Sequence, residues 1–249
     1  MGLLDTYRIN KAIAVLLTSQ DAASAETMQA VATLKRLGQS AIPKLIEALG
    51  KVRTPHTMMA PLTTLVHNTT LPLFGDGLAS SNPRVVAGVV EVLTQATTYD
   101  PHRLLDFCTD PRIAKSTLGK LLNARKAVLQ PELLLRCLDT VRAEHRPLLL
   151  GLVRQVATVA TVPALIRHTT STDETVRLAM VCTLTRFRTE EVRDAFMSLL
   201  TDTHAPIREA ALAGLASLPL PQDVRSICQL LRDPEKAVRP YQKDGMGKQ

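Results

Sequence analysis

Val176-Arg177-Leu178-Ala179 returns 31 residues later as Ile207-Arg208-Glu209-Ala210, and Val238-Arg239 stands another 31 residues on. One step of 31 back from Arg177 reaches Arg146, and a second reaches Lys115. The same step links Leu184 with Leu215, Leu200 with Leu231, and Asp202 with Asp233. Several residue types holding one register mark an internal repeat, whose detection decides the fold.

Within a unit the apolar period is helical. Val176, Ala179, Met180, Leu184 and Phe187 recur at three- and four-residue steps, and so do Val192, Ala195, Phe196, Leu199 and Leu200. Each set forms one stripe of a helix. Phe187 and Phe196, at the ends of these stripes, belong to the core. Asp, Thr and Pro punctuate the junctions, as in Thr201-Asp202-Thr203 and Asp233-Pro234, where they supply caps and a first-turn proline. Each unit is therefore two antiparallel helices. Neither helix buries its stripe alone, so the units must stack.

Thr161-Val162-Pro163-Ala164-Leu165-Ile166 running through Val176-Arg177-Leu178-Ala179 to Leu184 resembles one full HEAT-like repeat. Ala41-Ile42-Pro43-Lys44-Leu45-Ile46-Glu47-Ala48-Leu49 resembles a first helix of that family. The step is shorter than the HEAT and armadillo units of about 40–47 residues. It is closer to compact, bacterial-like HEAT scaffolds and phycobilin-lyase-type proteins. The resemblance implies an all-α fold, a right-handed α-α superhelix of about six to seven antiparallel helix pairs. A capping helix is expected over 1–20, the array over 21–240 with its weakest match over 53–110, and a polar tail over 241–249. In the cap, Leu3, Leu4, Ile13, Val15 and Leu16 are available to cover the first repeat. Pro240 and the polar tail leave the last face without an evident cap, which predicts self-association or a partner there.

Composition fits a core of thin helix layers. Hydrophobic residues make up 45% of the 249, yet aromatics are only 3% and Trp is absent, so Leu, Val, Ala and Ile must fill the interior. The net charge of +7 is spread evenly, 12 basic to 9 acidic residues before position 125 and 18 to 14 from position 125 on. Such a spread lacks the basic arm typical of many nucleic-acid-binding chains. Four dispersed cysteines without Cys-x-x-Cys point to reduced thiols and a cytoplasmic setting. The apolar tract from Leu148 to Ile166 is broken by Arg154, Gln155 and Pro163, so it reads as buried helices, and no membrane partner is expected. Met1-Gly2-Leu3-Leu4-Asp5-Thr6 formally fits an acylation start but reads as a helix entry.

The arginine ladder has two readings. Asp202 and Asp233 each precede an arginine, Arg208 and Arg239, by six residues, and the resemblance implies a structural Asp–Arg tie between turn and helix. Ser171 and Thr140 replace the carboxylate before Arg177 and Arg146. Those two arginines are therefore expected to be free for a partner. Residues 136–188 hold eight arginines, Arg136, Arg142, Arg146, Arg154, Arg167, Arg177, Arg186 and Arg188, against Asp139, Glu144, Asp173 and Glu174. This segment is the candidate surface for an acidic partner or nucleic acid.

Catalytic signatures are missing. The six histidines show no His-x-x-x-His, and no metal site, catalytic set or cofactor is expected. HEAT-like di-iron hydroxylases carry repeated His-Glu dipeptides, and this sequence has none. With no Trp and three tyrosines, the stacking that HEAT-like alkyl-base glycosylases need is hard to build. The leading expectation is a non-enzymatic protein-binding scaffold using its concave face. Polyanion binding through 136–188 and a phycobilin-lyase-like accessory activity are the alternatives.

Overall fold

In the computed structural model, residues 2–19, 21, 23–51 and 56–218 are described, and every regular element among them is a helix. Short connections set the helices in pairs. The first pair is α1 (Leu3–Thr18) with α2 (Ala25–Leu37), and the second is α3 (Ile42–Leu49) with α4 (His56–Leu65). In the third, a 3-10 turn at Leu71–Phe74 runs into the single turn α5 (Gly75–Leu78), which packs on α6 (Pro83–Gln95). In the fourth, a 3-10 segment at Pro101–Thr109 stands in for a first helix and packs on α7 (Lys115–Arg125). Then come α8 (Pro131–Cys137) and α9 (Arg146–Val156), α10 (Val162–His168) with α11 (Glu174–Leu184), and α12 (Glu190–Leu199) with α13 (Ala205–Ala216).

Two compact units divide the chain, and the boundary falls within α9. The first comprises Met1–Leu129 with Asp139–Leu148, and the second Gln130–Leu138 with the chain from Leu149 on. In the first unit second helices stack on one another, α2 on α4, α4 on α6 and α6 on α7. In the second, α8 packs on α10, α10 on α12, and α11 on α13. This nearest-neighbour stacking buries the stripes read from the sequence.

Local chemistry starts the helices as the junction residues predict. The Asp173 carboxylate accepts from the amides of Thr175 and Val176 at 2.9 and 3.4 Å, and Asn82 accepts from the Arg84 amide at 3.0 Å. Pro83, Pro131, Pro163 and Pro206 all occupy first turns, where a missing N–H costs nothing. Asp202 differs from the expectation. The N-cap of α13 is His204, and Asp202 instead holds the turn by accepting from the His204 amide at 2.8 Å.

The region of weak sequence periodicity has a structural cause. Its first helices are replaced by 3-10 turns and one four-residue helix, and Pro61 sits inside α4. Gly77 explains the shortened element: a Cβ there would meet Ile46 and Val89 side chains at 2.8 Å, so the backbone itself packs against α3 and α6.

Helix α1 covers α2 and α3 with a different set of residues from the one expected. Ile9, Ala12, Ile13 and Leu16 are buried, whereas Leu3 and Leu4 are exposed, because they fall off the inward arc. Phe187 and Phe196 are in the core as predicted, at 8% and 0% exposure. The expectations for the C-terminal face and for the polar tail concern residues outside those described.

Candidate partner-binding surfaces

Arg177 is a structural tie, which corrects the expectation that it stands free. It is 8% exposed. One guanidinium nitrogen donates to the Ser171 and Thr172 carbonyls at 2.8 and 3.3 Å. Nε and Nη2 donate to the two Asp202 carboxylate oxygens at 3.1 and 3.3 Å, and Nη2 also donates to His204 Nδ1 at 2.8 Å. His204 Nε2 in turn reaches Glu174 at 2.5 Å. A rigid planar fork suits this role because it serves several acceptors in fixed directions. Burial pushes the Asp202 carboxyl up, but the His204 amide, the Arg177 hydrogen bonds and the nearby positive charge carry it below the ordinary range.

Arg208 repeats half of this pattern. Its Nη1 donates to the Asp202 and Thr203 carbonyls at 2.8 and 3.2 Å, six and five residues back, like Arg177 to Ser171 and Thr172. The element shared by Arg177 and Arg208 is thus arginine to turn carbonyls, and the Asp202 carboxylate turns to the arginine of the preceding unit. The six-residue Asp–Arg spacing read from sequence names two residues of the tie but pairs them differently. Arg239 and Asp233 lie outside the described residues. Arg146, the first residue of α9, is also engaged, so it too is not the free cation expected.

A second tie went unread in the sequence. Arg125, at the end of α7, donates to the Thr94 carbonyl near the end of α6 at 2.9 Å and lies 5.6 Å over the Tyr99 ring. Arg186, following α11, donates to the carbonyl of Arg154 in the last turn of α9. Each cation satisfies an orphan carbonyl at a helix C-terminus, where positive charge is favoured. The signal was present as spacings of 31 and 32 residues, but only one partner in each pair is an arginine side chain.

The eight arginines differ in their unit and in their partners. Arg142 pairs with Glu144 at 2.7 Å and belongs, with Arg146, to the first unit. In the second unit, exposed Arg136 and Arg167 lie in the last turns of the first helices α8 and α10. Arg154 lies in the last turn of α9, and Arg186 stands just past the end of α11. Arg188 is exposed in the following loop.

Two open grooves are lined by helical faces within the first unit. One, of about 600 Å³, runs between second helices α6 and α7: Val86, Ala87, Val90 and Thr94 face Thr117 and Lys120. The other, of about 500 Å³, lies between α1 and α2 and carries Arg8, Lys11 and Arg36 beside Glu26. Neither was singled out from sequence, because each is assembled across helices.

Three histidines make internal hydrogen bonds. Buried His145 donates from Nδ1 to the Cys108 carbonyl at 2.8 Å, His67 pairs with Thr70 at 2.8 Å, and His102 with Asp100 at 2.8 Å. Among the described residues no three His, Cys, Asp or Glu side chains are grouped to hold a metal ion. No helix among them is long and apolar enough to cross a membrane.

A family model described as HEAT repeats matches residues 162–240. No curated protein matches the sequence. Among solved structures, human deoxyhypusine hydroxylase in complex with glycerol is similar at a TM-score of 0.38 and 17% identity, over 95% of this chain and 93% of that one.

Proposed function

We propose that this chain, whose residues 162–240 match a HEAT-repeat family model, is a scaffold that binds another protein along the exposed side of its second helices. The groove between α6 and α7 carries the reading. Its floor mixes half-buried Val86 and Val90 with exposed Ala87, and its rim offers Ser80, Glu91 and Lys120. Apolar ground with a polar rim is the anatomy of a protein interface. Second helices packed side by side present it at low cost, since α6 is already packed on α5 and α7 on the 3-10 segment at Pro101–Thr109.

Of the alternatives, polyanion binding through residues 136–188 has less support, because Arg177 and Arg186 already serve internal carbonyls and carboxylates. A photo-crosslinking side chain at Ala87, compared with one at exposed Arg103 outside the groove, tests the scaffold. A partner captured at Ala87 and missed at Arg103 supports it. Equal capture at both positions overturns the use of this face.

A further inference from the structure

Exposed large apolar side chains concentrate on the first helix pair: Leu3 (92%), Leu4 (71%), Tyr7 (67%) and Leu17 on α1, and Met28 on α2. Single exposed leucines need no explanation, but a cluster on one helix does. At 3.6 residues per turn, Leu3, Leu4 and Tyr7 share the arc opposite the buried Ile9, Ala12, Ile13 and Leu16, and Leu17 lies at its flank. Positive charge lies beside that arc. Arg8, Lys11 and Arg36 line one groove with a single carboxylate, Glu26, and the Arg8–Asp5 contact is a long 3.9 Å between exposed groups. A pair of that kind contributes little.

We propose that α1 is an interfacial anchor for an anionic lipid surface, with Leu3, Leu4 and Tyr7 entering the headgroup–acyl boundary and Arg8, Lys11 and Arg36 meeting lipid phosphates. Apolar side chains flanked by basic ones are the two components of such adsorption. Side chains this exposed protrude, and a bilayer receives them without a matching pocket. A second copy is a poorer occupant, because a two-fold interface would set the same cations against each other. Helix α1 has 16 residues and does not span, so the contact is at the surface. This reverses, for a surface contact, the expectation of no membrane partner. It is independent of the groove between α6 and α7.

The test is co-sedimentation of the full chain with phosphatidylcholine–phosphatidylserine vesicles and with pure phosphatidylcholine vesicles. Sedimentation with the anionic vesicles alone is expected. Leu3→Ser/Leu4→Ser should weaken it by at least about tenfold, and Arg8→Gln/Lys11→Gln by about 25-fold, roughly fivefold per charge. Because the chain has no Trp, Leu4→Trp provides a sole reporter whose emission should shift to the blue on anionic vesicles, whereas Val128→Trp, in the exposed turn after α7, should not shift. These positions are exposed, so unchanged circular dichroism is expected throughout. No sedimentation, equal binding to neutral vesicles, or binding untouched by the leucine pair overturns the proposal. So does a dimer that the leucine pair dissociates while wild type ignores vesicles.

Discussion

Asp202 closes on Arg177 from 25 residues further along the chain, with carboxylate oxygens 3.1 and 3.3 Å from the guanidinium and both side chains about nine-tenths buried. The contact joins one helix pair to the turn of the next. Removing either partner leaves a buried charge poorly compensated, which costs more than an exposed pair would. Asp202→Ala is therefore expected to lower stability by about 3 kcal/mol. Arg177→Lys should cost about 2 kcal/mol, since an ammonium cannot serve two turn carbonyls and a carboxylate at once. The denaturant midpoint of the full chain measures both, and a loss under about 0.5 kcal/mol for Asp202→Ala would show that the tie is dispensable.

The same carboxylate sets a pH dependence. Asp202 is held below its ordinary value of 3.8 in the folded chain. A group depressed on folding stabilises fully above its unfolded pKa, and that contribution fades as pH falls through the folded pKa. Wild type and Asp202→Asn should thus differ most near neutrality and converge below pH 3.8. Melting both proteins across that range checks it, and a constant gap would mean that Asp202 is not ionised in its pair.

Much of the fold was legible because a repeat states the same constraint many times. The 31-residue step, the stripes through Val176 and Val192 and the first-turn prolines all follow from single-helix chemistry. What the sequence hid was pairing between units. Ser171 suggested an unpartnered Arg177, because a tie to backbone carbonyls leaves no mark on residue identity. Arg125 and Arg186 escaped for the same reason. The grooves were also invisible, since Val90 and Lys120, or Arg8 and Arg36, come together only when separate helices pack. Leu3 and Leu4 were assigned inward on hydrophobicity alone, which the helical arc overrides.

Gly214 tests how tightly the last described pair is packed. A Cβ at this position in α13 would stand 2.5–2.8 Å from the fully buried Phe196 ring of α12. Alanine gains up to about 1 kcal/mol in helix propensity, but overpacking costs about 1–3 kcal/mol. Gly214→Ala should therefore destabilise on balance, by about 1 kcal/mol. Phe196→Leu in the same background makes room and should recover part of the loss. Stabilisation by Gly214→Ala alone would mean the ring yields freely.

Ala87 separates binding from stability. It is exposed on α6 and lines the groove that faces α7. Ala87→Glu keeps a good helix former and touches no core residue, so stability should change by no more than about 0.5 kcal/mol. A carboxylate there crowds the apolar ground beside Val90, so partner capture should fall sharply. Retained capture with normal stability would remove this groove from the interface.

Arg125 and Tyr99 act together at the ends of α6 and α7. The guanidinium donates to the Thr94 carbonyl at 2.9 Å and covers the Tyr99 ring, whose hydroxyl donates to the Leu93 carbonyl at 2.5 Å. Arg125→Ala loses a charge-assisted hydrogen bond and a ring contact, together about 2 kcal/mol. Tyr99→Phe keeps the ring but strands a buried carbonyl, for about 1 kcal/mol. Tyr99→Leu also removes the π face, so a double-mutant cycle between Arg125→Ala and Tyr99→Leu isolates the cation–ring term. A coupling of about 0.5–1 kcal/mol is expected, whereas additive losses would assign the stability effect of Arg125 to the Thr94 carbonyl alone.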